Sequence, residues 1–109
     1  MAVAAKADTT VWEEQVAAWD LGVKAFGRID YAFANAGIAE VPFLPPQRSE
    51  TITKPNLLTL NIDLIGQLNT AGLALQHFER QAVGANGFRG KLVLTSSVFG
   101  YFPCETMPM

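Results

Sequence analysis

Ser97 closes the run Leu94-Thr95-Ser96-Ser97, and Asn35-Ala36-Gly37 closes a second apolar run, so hydroxyl and amide groups follow two segments of strand length. A serine hydroxyl at such a point can both donate and accept a hydrogen bond. A small, permissive backbone lets a flat or charged ligand come close without meeting a side chain. Both groups also have an ordinary reading, as residues that turn the chain after a strand. Asn61 is the only polar member of the helical row Leu57, Asn61, Leu64, Leu68, Ala71 and Leu75. A buried amide without a partner costs about 1–3 kcal/mol, so Asn61 is expected to bond backbone, a water or a functional group. Asp8-Thr9 is a third polar pair, placed after a stretch of strand character at Val3 to Ala7.

The elements that must hold these groups alternate. Thr10-Val11-Trp12-Glu13 has capping-box spacing, and Trp12, Val16, Trp19, Val23 and Phe26 then recur at helical intervals up to Gly27. That predicts a helix buried on this face and ended by a left-handed glycine. Ile29 to Ala34 reads as a strand. A loop follows over Ala39 to Ser49, marked by Pro42, Pro45 and Pro46. Thr53 as cap and Pro55 in the first turn predict a long helix to about Gln81. Gly84 to Gly90 forms a turn, and Lys91 to Ser96 is a near-continuous apolar run of the kind found in parallel strands covered on both faces. Helix, strand, helix, strand implies an α/β fold with parallel strands joined by right-handed crossovers, and ligands in such sheets sit beyond the carboxyl ends of the strands.

Composition removes several classes of function. With eight basic and ten acidic residues, a net charge of −2 and no basic stripe, nucleic acid is not an expected partner. One cysteine, Cys104, can form neither an internal disulfide nor a thiolate metal site, and His77 has no partner at metal-ligand spacing, so no metal is expected and His77 reads as a surface residue. No run is long and apolar enough for a membrane span or a signal peptide, which makes a cytoplasmic location the default.

The ordered set Asp8-Thr9, Gly27-Arg28-Ile29-Asp30, Asn35-Ala36-Gly37, Asn61 within a long helix and Leu94-Thr95-Ser96-Ser97 resembles the central part of the short-chain dehydrogenase/reductases, from about Ala5 to Met109. The resemblance implies a partial Rossmann-like, doubly wound parallel sheet, with only the middle strands and helices, as one partial NAD(P)-binding domain over residues 1–109. It implies hydride transfer between NAD or NADP and a small-molecule alcohol or ketone. Position by position, Asp8 matches the aspartate at the adenine ring, with Thr9 beside it through its backbone. Asn35, Ala36 and Gly37 match the segment along the adenosine ribose. Asn61 matches the asparagine that holds a proton-relay water, and Ser97, with its companion Ser96, matches the serine that bonds the reacting oxygen. Ala34 stands where the family often has a first asparagine.

Two features of the family pattern are missing from these 109 residues. One is the glycine-rich turn that meets the pyrophosphate. The other is the tyrosine, followed one helical turn later by a lysine, that exchanges the hydroxyl proton; Tyr31, within a strand, and Tyr101, close behind Ser97, stand at the wrong positions for it. The expectation is therefore an internal fragment of an oxidoreductase, inactive as this chain, with Val3 to Ala7 left without its neighbouring strand. The alternative is a non-catalytic interaction module. It would pair with another copy or a full-length relative through the long helix, using Leu58, Ile62, Ile65 and Leu73.

Overall fold

The computed structural model describes residues 1–44 and 51–102. Pro45, Pro46 and Ser49 of the proline-rich loop, and Cys104, lie outside the described residues. Helix α1 spans Trp12–Phe26, strand β1 Tyr31–Ala34 and strand β2 Lys91–Leu94. Between the strands runs a long helix, regular over Leu58–Leu60, widened to π geometry over Asn61–Gly66, and regular again over Gln67–Arg80. A single 3₁₀ turn, Val98–Gly100, follows β2. The strands pair in parallel, Tyr31 with Lys91 through Ala34 with Leu94, so the fold is α/β with the long helix in the crossover.

The end of α1 follows the sequence pattern, with Gly27 at φ 82° and its N–H returned to the Val23 carbonyl. Its start does not. Val11 and not Thr10 is the N-cap, with no side-chain cap bond, and Asp8 Oδ1 takes both the Thr10 N–H and the Thr10 hydroxyl, at 2.8 and 2.7 Å. Nor does the long helix begin at Thr53 and Pro55; it begins at Leu58, whose N–H is held by Asn56 Oδ1 at 3.0 Å.

The core is thin. Ala32, Ala74 and Phe78 pack together, with Trp19, Ile29 and Leu92 against them, so α1 and both strands share the long helix as their support. His77 is half-buried rather than a solvated surface residue, its ring 5.0 Å from that of Trp19. On α1 the buried residue is Gln15; of the expected apolar row, Val16, Trp19 and Val23 are half-buried, while Trp12 and Phe26 stay exposed. Ala32 and Ala34 face the helix, whereas Tyr31 and Phe33 are 53% and 65% exposed, so among the described residues the sheet is covered on one face and not on both. Val3 to Ala7 pairs with no strand there. No helix among the described residues is long and apolar enough to cross a membrane.

Candidate active site at the carboxyl ends of the strands

Because β1 and β2 are parallel and in register, their carboxyl ends open side by side. Thr95 N–H donates to the Ala34 carbonyl at 3.0 Å, and the Thr95 hydroxyl donates to Asn35 Oδ1 at 2.7 Å. Gln67 of the long helix donates to the Thr95 carbonyl at 2.9 Å. A cleft of about 410 Å³ follows, lined by Asn35, Ala36 and Gly37 on one side and by Thr95, Ser96 and Ser97 on the other, with Asp63 and Gln67 from the helix. Two of the three polar clusters singled out in the sequence therefore meet in one place.

The third lies alongside. Thr9 reaches Asn35 and Ala36 through a small cavity of about 60 Å³, shared with Gly66. Close approach is possible because Gly66 has no side chain: a Cβ there would stand 2.5 Å from Thr9 Oγ1. Gln15, 8% exposed, ties this junction together. Its amide donates to the Thr9 and Gly66 carbonyls, and its oxygen accepts the Thr70 hydroxyl at 2.7 Å. Asp8 is exposed, with its N–H held by Glu14 Oε2 at 2.7 Å. The two donors of Thr10 hold the Asp8 carboxyl below its ordinary range.

Asn61 is a correction. It is exposed, not buried, and lines a separate depression with Lys54, Pro55, Asn56, Leu57 and Leu58. The row drawn through it assumed unbroken α geometry, and the π segment from Asn61 to Gly66 breaks that assumption. Of that row Leu64, Leu68 and Leu75 are exposed and Ala71 is buried, and the buried side carries Thr59, Gly66, Ala71, Leu73, Ala74 and Phe78. The helix instead sends Asp63 into the cleft. Residues two apart on a helix point to roughly opposite sides, and Asp63, not Asn61, is among the residues lining the cleft. Asp63 was missed because a carboxylate in mid-helix has the look of a solvated residue.

Ser97 Oγ accepts the Phe99 N–H at 3.3 Å, capping the 3₁₀ turn, so the hydroxyl proton is left for another acceptor. Beyond it opens a second cavity of about 450 Å³, lined by Ile38, Ala39, Glu40, Thr59, Asp63, Ser97, Phe99 and Gly100. Tyr31 stands at the opposite end of β1, lining a depression with Arg28 and Asp30, and Tyr101 is 84% exposed.

Comparison with known proteins agrees with this architecture. No family model matches the chain. It is 32% identical over 98 residues to the short-chain dehydrogenase/reductase ascJ of Acremonium egyptiacum, an alignment covering 87% of the chain and 32% of that protein. It is 36% identical over 99 residues to the (-)-trans-carveol dehydrogenase of Rhodococcus erythropolis, covering 91% of the chain and 33% of that protein. The crystal structure of an NAD+-bound xylitol dehydrogenase superposes with a TM-score of 0.68 at 24% identity, over 93% of the chain and 35% of the other, and shares its fold. The chain is thus a relative of the short-chain dehydrogenase/reductases over most of its own length. It spans about a third of theirs.

Proposed function

We propose that this chain supplies part of the site of an NAD(P)-dependent oxidoreductase that interconverts a small-molecule alcohol and its carbonyl. The observation that carries this reading is the single cleft joining Asn35-Ala36-Gly37 to Ser96-Ser97 at the carboxyl ends of adjacent parallel strands. That is where ligands of open α/β sheets sit. The small residues there fit a nucleoside: Ala36 and Gly37 leave the backbone open, and Thr9 lies close by. Asp8, with Oδ1 engaged by Thr10, keeps Oδ2 for an adenine amino group. Asn35 to Gly37 run along the ribose, and Ser97 donates to the reacting oxygen. A nicotinamide, when bound, supplies the hydride acceptor.

The 109 residues hold no tyrosine-lysine pair beyond Ser97 and no glycine-rich turn, so when assayed alone they are expected neither to turn over nor to bind NADH or NADPH tightly. Grafting residues 1–109 in place of the matching segment of the (-)-trans-carveol dehydrogenase tests the reading. The chimera is expected to oxidise alcohols with a nicotinamide cofactor and to lose roughly 10²–10⁴ of that rate on S97A. A folded chimera without turnover would count against it.

A second reading has its own observation. Leu64, Leu68 and Leu75 form an exposed apolar stripe on the long helix, 46%, 54% and 52% accessible, which suits a helix that packs against another copy or a full-length relative. Leu58 and Ile65 add to it, but Leu73 is buried in the core. Light scattering of the chain with and without the L68E substitution checks this reading, since a charge in the stripe should dissociate the assembly.

A further inference from the structure

The cavity of about 450 Å³ beyond Ser97 is chemically uneven. Its volume falls in the range of roughly 300–1,000 Å³ in which small-molecule pockets lie. Ile38, Ala39 and Phe99 give it apolar walls, and none of the described residues that line it is basic. Ser97 belongs both to this cavity and to the cleft, whereas Thr59 and Glu40 line the cavity alone. A molecule that places its reacting oxygen at Ser97 and fills the cavity therefore carries its far end toward Thr59 and Glu40.

Thr59 is 9% exposed and stands in the first turn of the long helix. Its Oγ1 accepts the Val41 N–H at 3.1 Å, a bond that leaves the hydroxyl proton to donate. Glu40, half-buried, adds a carboxylate, which only accepts and has room for several donors at once. A donor and an acceptor thus face one space. A hydroxyl can answer both, taking the Thr59 proton and giving its own to Glu40. A carbonyl answers only Thr59, a hydrocarbon answers neither, and an acidic group meets the like charges of Glu40 and Asp63. We propose that the cavity selects alcohols that carry a second, neutral hydroxyl, held between the Thr59 hydroxyl and the Glu40 carboxylate, and that it rejects substrates with an acidic group. Oxidation at the first hydroxyl rests on the oxidoreductase reading above; binding of the diol does not.

Binding and turnover are tested separately. In the 109-residue chain, the amide shifts of Val41 and Phe99, whose N–H groups donate to Thr59 and Ser97, are followed by NMR on titration with cyclohexanol, the vicinal and more widely spaced cyclohexanediols, and hydroxycyclohexanecarboxylate. At least one diol is expected to bind about tenfold or more tightly than cyclohexanol, and the hydroxy acid more weakly than either. T59V should bring the diol-to-cyclohexanol ratio to within about twofold of unity, and T59S, which keeps the hydroxyl, should restore it. Loss of the Val41 bond alone would weaken diol and cyclohexanol alike and leave that ratio unmoved. E40Q should ease the rejection of the hydroxy acid. In the chimera the same ratios should appear in kcat/KM. Equal affinity of the wild-type chain for cyclohexanol and every diol overturns the proposal, as does a diol preference that survives T59V. A hydroxy acid bound as weakly by E40Q as by wild type overturns the part given to Glu40. A folded chimera without turnover defeats the oxidoreductase reading, and the shift titration then still decides what the cavity binds.

Discussion

The Thr95 hydroxyl donates to Asn35 Oδ1 at 2.7 Å, joining the two chain segments as they leave adjacent parallel strands. The bond fixes which way the Asn35 amide faces and so orients one wall of the cleft. Both residues are exposed, which allows water to replace part of what is lost when the bond is broken. Thr95→Val, close in shape but without the donor, is expected to lower stability by about 0.5–1.5 kcal/mol, read from urea unfolding of the chain. A value near zero would mean that solvent competes fully for Asn35.

Gln15 is the buried polar residue of α1, and each carbonyl it serves has a second donor. Asn69 also reaches the Thr9 carbonyl at 3.3 Å, and the Thr70 hydroxyl, whose one proton is shared with Gln15 Oε1, lies 3.0 Å from that of Gly66 and can turn to it once Gln15 is gone. Removing the glutamine therefore strips neither acceptor completely. Gln15→Leu should cost about 1 kcal/mol, the lower end of the range for an unsatisfied buried group. Amide exchange should quicken around Thr9 and Gly66 and not around the Gly27 cap, since the lost bonds all lie at the other end of α1.

Much of the fold was legible because its signals are local. Gly27 marked the end of α1, and the apolar runs before Asn35 and Lys91-Leu92-Val93-Leu94 marked the strands, each drawn about two residues too long. That Asn35 to Gly37 and Ser97 share a cleft followed from parallel pairing alone. Asn61 and Asp63 were not legible, because a 3.6-residue period cannot register the π segment that turns the helix. Gln15 was hidden for a related reason: a glutamine between two glutamates and an apolar row looks solvated, and only its partners at Thr9, Gly66 and Thr70, distant in sequence, make it buried.

Gly90, just before β2, lies against the ring of Phe78, and a Cβ at this position would fall well inside van der Waals contact with it. Phe78 is 6% exposed and central to the core, so it has little room to retreat. Gly90→Ala should destabilise the chain by about 1–3 kcal/mol through overpacking. In the double variant with Phe78→Leu the two costs should fall short of their sum by at least about 0.5 kcal/mol, measured by a double-mutant cycle in urea. Strict additivity would show that the ring moves aside freely.

Asp8 titrates below the ordinary carboxylate value of about 3.9, because the backbone and side-chain donors of Thr10 both favour its charged form. The sign of the linkage follows. A depressed folded-state value means that the unfolded chain binds this proton first, so the contribution of Asp8 to stability is present above its unfolded value. It is lost as pH falls through the folded one, which confines the effect to the acid limb, below about pH 4. Since Asp8 is exposed, the contribution is small, and it is better read at the residue than from global unfolding. Carboxyl-carbon NMR of Asp8 should show a midpoint below the ordinary range in the wild-type chain. In Thr10→Val, which keeps the backbone donor at 2.8 Å and removes the hydroxyl at 2.7 Å, the midpoint should move part of the way back. An unchanged midpoint would assign the whole depression to the backbone N–H and leave the hydroxyl without electrostatic effect on the carboxylate.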